Sequence, residues 1–172
     1  MEQETIKQNP MRKVKIEKIL LSASEKDKEL EKAKKLLEML SGMKAQVIAS
    51  KKRIPDFGVR PGLEVGTRVT IRGEKAVELL KRLLGAIENT IRKKQISQNH
   101  FSFGIPEYIE IPETEYHREI GIRGLNVTVV FSRAGVRIKN KKIKSGRLPQ
   151  KQHIPREEII EFMNQNFGTE VI

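Results

Sequence analysis

VGTRVTIRG, residues 65–73, is the stretch that decides the fold. Val65, Thr67, Val69 and Ile71 fall on one side of an extended chain, and Arg68, Thr70 and Arg72 on the other, because strand side chains alternate with a period of two. The pattern predicts a strand with one buried face and one basic, accessible face. From Glu74 the period changes. Val77, Leu80, Leu84, Ile87 and Ile91 recur at helical steps, with Ala76 and Leu83 widening the stripe, and predict a helix over 74–94. A half-open strand joined to a helix with one apolar stripe describes a sheet covered by helices on one side.

The residues just before the strand read KKRIPDFGVRPG, 51–62. Pro55 and Pro61 fix φ and remove backbone donors, while Gly58 and Gly62 permit turns closed to other residues. Lys51, Lys52, Arg53 and Arg60 make this loop basic, and Phe57 puts a large ring near its middle. A stiffened basic loop with one aromatic suits an anionic partner, above all nucleic acid.

Further out, a strand is expected over 44–50, with Ala45, Val47 and Ala49 on one side. A first strand is expected over 14–21. A helix follows, capped by Ser24, carrying Leu30, Ala33, Leu36, Leu37 and Leu40 on one face and closed by Gly42. Residues 101–124 read as irregular, with short strands near 108–111 and 125–131 and another over 135–139. An exposed basic loop covers 141–153. A last helix begins at Pro155, with Ile159, Ile160, Met163 and Phe167 inward and Gly168 at its end. The expected architecture is α+β: a two-layer sandwich of a mostly antiparallel sheet with helices packed on one face. Residues 1–10 are expected to be a flexible arm, and 11–172 a single RNA-binding domain.

Across 172 residues, 34 Lys and Arg face 22 acids, a net charge of +12. Such an excess favours a polyanionic partner. No apolar run suggests a membrane span or a signal peptide, so no membrane partner and a cytoplasmic location are expected. There is no Cys, which excludes disulfides and thiolate metal sites. Asp27 and Asp56 are the only aspartates; abundant Lys and Glu without Cys is a hyperthermophile tendency, although basic RNA-binding proteins are Lys-rich in any case.

Three basic regions stand apart in the sequence. They are Arg12, Lys13, Lys15 and Lys18; the segment from Lys51 to Arg72; and Arg133, Arg137, Lys139, Lys141, Lys142, Lys144, Arg147 and Lys151, which includes no acid. Phe101-Ser102-Phe103 fits either a base-stacking pair or a core strand, and core is favoured. Gly121-Ile122-Arg123-Gly124 has the GxxG spacing of a KH loop, yet a strand-like run follows it where a KH loop joins helices. His100, His117 and His153 are scattered, no phosphate or dinucleotide fingerprint occurs, and catalysis has little support. The acidic group Glu107, Glu110, Glu113, Glu115 and Glu119 reads as a solvated face, a cation site or a contact for a basic protein. No cofactor or metal is expected.

Taken in order, Asn9-Pro10-Met11-Arg12, Leu40-Ser41-Gly42, Phe57-Gly58-Val59-Arg60, Val69-Thr70-Ile71-Arg72-Gly73, Asn99-His100-Phe101-Ser102-Phe103-Gly104-Ile105, Glu119-Ile120-Gly121-Ile122 and Arg133-Ala134-Gly135-Val136-Arg137 resemble the family of ribosomal protein five of the large subunit, in its archaeal and eukaryotic form. The resemblance runs from about residue 9 to the C-terminus. It implies a non-catalytic protein of the central protuberance on the ribosome. Implied partners are 5S rRNA, large-subunit rRNA, P-site tRNA, neighbouring central-protuberance proteins and a small-subunit head protein. By position it implies rRNA contacts at Asn9, Met11, Arg12, Lys13, Gly42 and Lys44, and at Lys51, Lys52, Arg53, Arg68 and Arg72. It implies tRNA contacts at Ile54, Pro55, Asp56, Phe57, Gly58, Val59 and Arg60. Arg133, Arg137, Lys139, Lys141, Lys142, Lys144 and Arg147 are candidates for RNA or intersubunit contacts. A general nucleic-acid chaperone or a KH-like module is the alternative reading.

Overall fold

The first extended run forms β1 (Lys15–Ala23), whose Ile19, Leu21 and Ala23 are buried while Lys18, Leu20 and Ser22 are half-exposed. The computed structural model describes residues 10–172; Asn9 and the expected arm, residue 10 apart, lie outside them. β1 continues two residues beyond the expected end because Ala23 still pairs with Thr67. The next helix, α1 (Asp27–Ser41), therefore starts late. Its cap position is Lys26, with no side-chain cap bond, so Ser24 is not the cap. Gly42 ends α1 in the left-handed region at φ 62 and donates its N–H to Glu38 O at 2.8 Å.

β2 (Gln46–Ala49) and β3 (Glu64–Ile71) form a hairpin around the basic loop. The alternation in β3 holds: Thr67, Val69 and Ile71 are buried, while Arg68 and Arg72 are exposed. α2 (Glu74–Gly85) buries Ala76, Leu79, Leu80, Leu83 and Leu84, but it is shorter than its apolar periodicity suggests. Glu88 and Asn89 take φ of 52 and 56, and Asn89 N–H turns back to Leu84 O at 3.0 Å. Ile91 is buried in another way, in β4 (Thr90–Ile91), which pairs in parallel with β8 (Glu170–Val171) at the C-terminus.

The region expected to be irregular begins instead with an ordered hairpin, β5 (Ile96–Ser97) and β6 (His100–Ile105). β6 pairs along its length with β7 (Leu125–Ser132). Between them, residues 108–110 form a 3-10 turn and not a strand. Tyr108 fills the core, and its hydroxyl accepts the His117 N–H at 2.8 Å. No strand forms over 135–139 either. β7 makes its last pair at Ser132 with Lys15, Gly135 takes φ 94, and the chain coils into the short α3 (Arg137–Asn140). α4 (Arg156–Phe167) follows with Pro155 at its cap position, one residue before the helix, and Gly168 closes it at φ 63.

The main sheet runs β2-β3-β1-β7-β6-β5 and all its pairs are antiparallel. One face is apolar and carries the helices. The Phe101 ring stacks on Phe103 and Phe131 at 5.9 and 5.8 Å, and Phe131 meets Phe162 of α4 edge-on at 5.6 Å. Phe101 and Phe103 are thus core residues. The architecture is the expected α+β sandwich.

Candidate nucleic-acid interface

Among the described residues the second face of the sheet carries no helix, and strand alternation decides what it shows. Register lines its side chains into rows. Gln46 lies beside Arg68, Arg68 beside Ser22, Ser22 beside Asn126, and Asn126 beside Gly104. The next row is Thr70, Leu20, Thr128 and Ser102. A third joins Lys18, Val130, His100 and Ser97, with Arg72 following β3 at the same level. Arg68 Nε donates to Gln46 Oε1 at 3.1 Å, and the Ser102 and Thr128 hydroxyls are 3.0 Å apart. Hydroxyls and amides offer both donors and acceptors, and the arginines add forked donors. Among the described residues this surface carries no Phe, Tyr or Trp, and His100 is its only aromatic ring, so it suits backbone and 2′-hydroxyl recognition of structured RNA better than extended base stacking.

The β1–β3 half of this face follows from the sequence. The β6–β7 half, with His100, Ser102, Asn126 and Thr128, does not emerge from motif reading, although the alternation in HFSFG and NVTVVFS carries the signal. Beside the rows, Ser22, Ser24, Glu25, Gly104, Pro106 and Asn126 line a shallow hollow.

The connection between β2 and β3 is a built projection. At its base Ser50 N–H donates to Leu63 O and Gly62 N–H to Ser50 O, both at 2.8 Å. At its tip Ile54 and Val59 exchange backbone bonds of 2.9 and 3.0 Å around a 3-10 turn at Pro55–Phe57. Gly58 closes that turn at φ 62. The Lys26 ammonium donates to the Phe57 carbonyl. Phe57 is 67% exposed, and Lys51, Lys52, Arg53, Asp56 and Arg60 are exposed as well. Val59 is the exception in the expected contact set. It is 7% exposed and buried, whereas its bridge partner Ile54 is 41% exposed.

Strand direction fixes which connections share an end. The β2–β3 loop and the β6–β7 connection both leave the sheet where β1 finishes, since Ala23 pairs with Thr67 and Ser22 with Asn126. Exposed Met11, Arg12 and Lys13 precede β1 at the opposite end, beside the segment that follows β7, since Lys15 pairs with Ser132. Gly42, Met43 and Lys44 are exposed at the turn from α1 into β2. There the Glu38 carboxylate accepts the Ala45 N–H at 3.0 Å.

The sequence-predicted basic run after β7 divides in two. Arg137, Lys139, Lys141, Lys142, Lys144 and Arg147 are exposed. Arg133 is 8% exposed; its guanidinium pairs with Glu158 of α4 and donates to Lys151 O at 3.1 Å. Arg133 is therefore withdrawn from the contact set, because its side chain is buried and two of its three guanidinium nitrogens bond inside the protein, while the buried Nε has no partner among the described residues.

The β6–β7 connection carries the acidic group and is held by cations. Lys35 pairs with Glu119 at 3.0 Å and Arg82 with Glu113 at 3.4 Å, while Arg123 reaches Glu25 at 3.3 Å and Glu29 at 3.7 Å. The Lys35 hydrogen bond, and then its charge, hold the Glu119 carboxyl below its usual range. That small contribution is present above the usual Glu range and is lost as the pH falls through the lowered value. Among the described residues no group of three or more His, Cys, Asp or Glu could hold a metal ion, so the acidic group is not a cation site of that kind. Gly121 to Gly124 lead straight into β7 and do not join two helices, which removes the KH reading. A Cβ on Gly124 would sit 2.8 Å from Pro106 O and 2.9 Å from Ile105 O, so this glycine serves close backbone approach. Arg123 is 11% exposed at its side chain and also donates Nε–H to Ile120 O at 3.1 Å. Its glutamate partners are much more exposed, which screens the pairs. Arg123→Ala is expected to cost about 1–3 kcal/mol in urea unfolding, mostly through the lost bond and packing.

Known proteins share this sequence along its length. Residues 9–60 match the family described as Ribosomal protein L5, and residues 64–162 match the C-terminal part of the same ribosomal family. Among curated proteins, the chain is 38% identical to large ribosomal subunit protein uL5 of Nanoarchaeum equitans, across 96% of this chain and 99% of that one. It is 37% identical to the protein of the same name from Sulfurisphaera tokodaii, across 98% of each. The corresponding protein of Archaeoglobus fulgidus is 34% identical across 95% and 93%.

Proposed function

Since this chain belongs to the ribosomal protein L5 family, a structural and non-enzymatic component of the large ribosomal subunit, we propose that it binds 5S rRNA through the open face of its sheet. The observation that carries this reading is that open face: polar rows crossing the sheet, with Lys18, Arg68 and Arg72 on it. Arginines and lysines neutralise phosphates, while the hydroxyl and amide rows select an A-form surface by shape and by its 2′-hydroxyls. Arg12 and Lys13, and also Gly42, Lys44 and Lys51 to Arg53, border it as rRNA contacts. No helix among the described residues is long and apolar enough to cross a membrane.

The projecting tip is a separate reader. Phe57 and Arg60 stand out from the end of the sheet, a shape that suits the elbow of P-site tRNA. Beside it, the acidic connection exposes Glu107, Glu110, Glu115 and Tyr116, a surface complementary to a basic protein and not to RNA. The bridge to a small-subunit head protein is assigned there. Central-protuberance proteins and large-subunit rRNA are the remaining neighbours.

Purified protein is expected to bind 5S rRNA more tightly than an unrelated duplex at moderate salt; equal affinities would sink the reading. In the same assay, the double substitution Phe57→Ala and Arg60→Ala should leave 5S binding unchanged. In reconstituted subunits it should weaken P-site tRNA by about 1–3 kcal/mol, the range for one stacked base. A drop in 5S affinity instead would join the tip to the sheet site.

A further inference from the structure

We propose that Lys26 is the positioning residue of the projecting tip: its ammonium fixes the peptide between Phe57 and Gly58, and so sets the direction in which the Phe57 ring meets RNA. The inference rests on the tip being a separate tRNA reader and adds the residue that aims it.

The tip has few other holds on the protein. Its root bonds, between Ser50 and Leu63 and between Gly62 and Ser50, lie at the sheet, and the exchange between Ile54 and Val59 is internal to the loop. The Gly58 N–H is also spent inside the turn, on Pro55 O at 2.8 Å. Val59 is buried, but the exposed Phe57 ring makes no ring contact among the described residues. The Phe57 carbonyl ends the 3-10 turn, and no backbone N–H among the described residues reaches it. The Lys26 ammonium does, from 31 residues away in sequence. Among the described residues it is the only side chain from outside 50–63 that hydrogen-bonds to this loop.

Lys26 is suited to the task by where its backbone sits. It occupies the cap position of α1, extended at φ −118 and ψ 153, and its carbonyl accepts the Glu29 N–H at 3.1 Å. The ammonium is therefore carried by the start of a helix whose apolar stripe is buried in the core. Its acidic neighbours do not compete for it. Glu25 and Glu29 both pair with Arg123, and Lys26 enters no ion pair among the described residues. The charge is left for a neutral carbonyl, and a hydrogen bond from an ionised donor is the stronger kind. A Cβ on Gly58 would lie 4.0 Å from Lys26 Nζ, so the ammonium also rests against the residue after Phe57. Because the peptide unit is planar, holding this one oxygen orients the whole link between Phe57 and Gly58. A ring aimed before binding spares the complex the entropy of ordering it.

The test uses full-length protein, free and in reconstituted large subunits. Lys26→Met keeps the apolar stem and removes the donor. In the free variant, amide hydrogen exchange at Ile54, Gly58 and Val59 should quicken severalfold, while exchange at Ser50 and Gly62 stays at the wild-type rate. Its 5S affinity and unfolding midpoint should stay close to wild type, since Lys26 is exposed and stands outside the rRNA contact set. In subunits the variant should weaken P-site tRNA by roughly three- to tenfold with an unchanged salt slope. Lys26→Arg, which keeps a charged donor, should restore both exchange and tRNA affinity. Lys26→Met combined with Phe57→Ala should bind tRNA no more weakly than Phe57→Ala alone, because a residue that acts through the ring has nothing left to aim. Additive losses, or a salt slope reduced by about one contact, would make Lys26 a direct RNA contact and overturn the proposal. Unchanged exchange at the tip would overturn it as well. If Phe57→Ala alone leaves tRNA binding untouched, the tRNA reading of the tip fails, and the exchange rates of the free protein still decide whether Lys26 holds it.

Discussion

Arg68→Glu together with Arg72→Glu is expected to weaken 5S RNA binding by a hundredfold or more, roughly 3–5 kcal/mol, at moderate salt. Both side chains are exposed on the open face, one on β3 and one just after it. Each can donate a charge-assisted fork to a phosphate, and reversal replaces that attraction with repulsion. Among the described residues the only internal side-chain bond lost is the one from Arg68 to Gln46, so the unfolding midpoint should move little. Filter binding over a salt series measures the affinity, and its salt slope should fall by about two contacts. Affinity within threefold of wild type in a folded variant would remove this half of the sheet from the RNA site.

The largest stability effect is expected at Phe101. Phe101→Ala should cost about 3–5 kcal/mol, because the emptied space is closed in on every side and collapses only in part. The residue is 0% exposed, and its ring touches Phe103 and Phe131 while its strand pairs with both β5 and β7. That loss is a large share of a typical domain's ~5–15 kcal/mol. Chemical denaturation gives the number, and 5S affinity measured below the unfolding transition should match wild type. The opposite pattern, normal stability with weaker RNA binding, would make Phe101 a base-stacking residue and would falsify its core assignment.

Much of the fold is legible in the residue order. The alternation at 65–73 finds β3 and its open basic face, and the Leu stripe at 30–40 finds α1. Gly42 and Gly168 mark helix ends that take the left-handed conformation as expected. The misreadings have specific causes. The apolar steps through Ile91 look helical because local periodicity cannot tell a residue buried by its own helix from one buried by a short strand. The stretch 108–111 reads as a strand because a core-filling tyrosine in a turn has the same local composition as a strand tyrosine. The hairpin of β5 and β6 is hidden because it depends on pairing with β7, which lies far along the chain.

By itself the sequence determined a basic protein with a two-faced sheet, helical stripes for one face, and a stiffened aromatic loop. These follow from periodicity, proline and glycine chemistry, and charge, all of which are local or summed properties. Only the tertiary structure decided which of the basic and apolar residues are available to a partner. It paired Arg133 with Glu158 and buried Val59, and it laid residues of β3, β1, β7 and β6 into common rows. It also set the tip and the exposed lysines at opposite ends of the sheet. Availability depends on neighbours brought together by strand order and register, and these are contacts between segments that no single stretch of sequence contains.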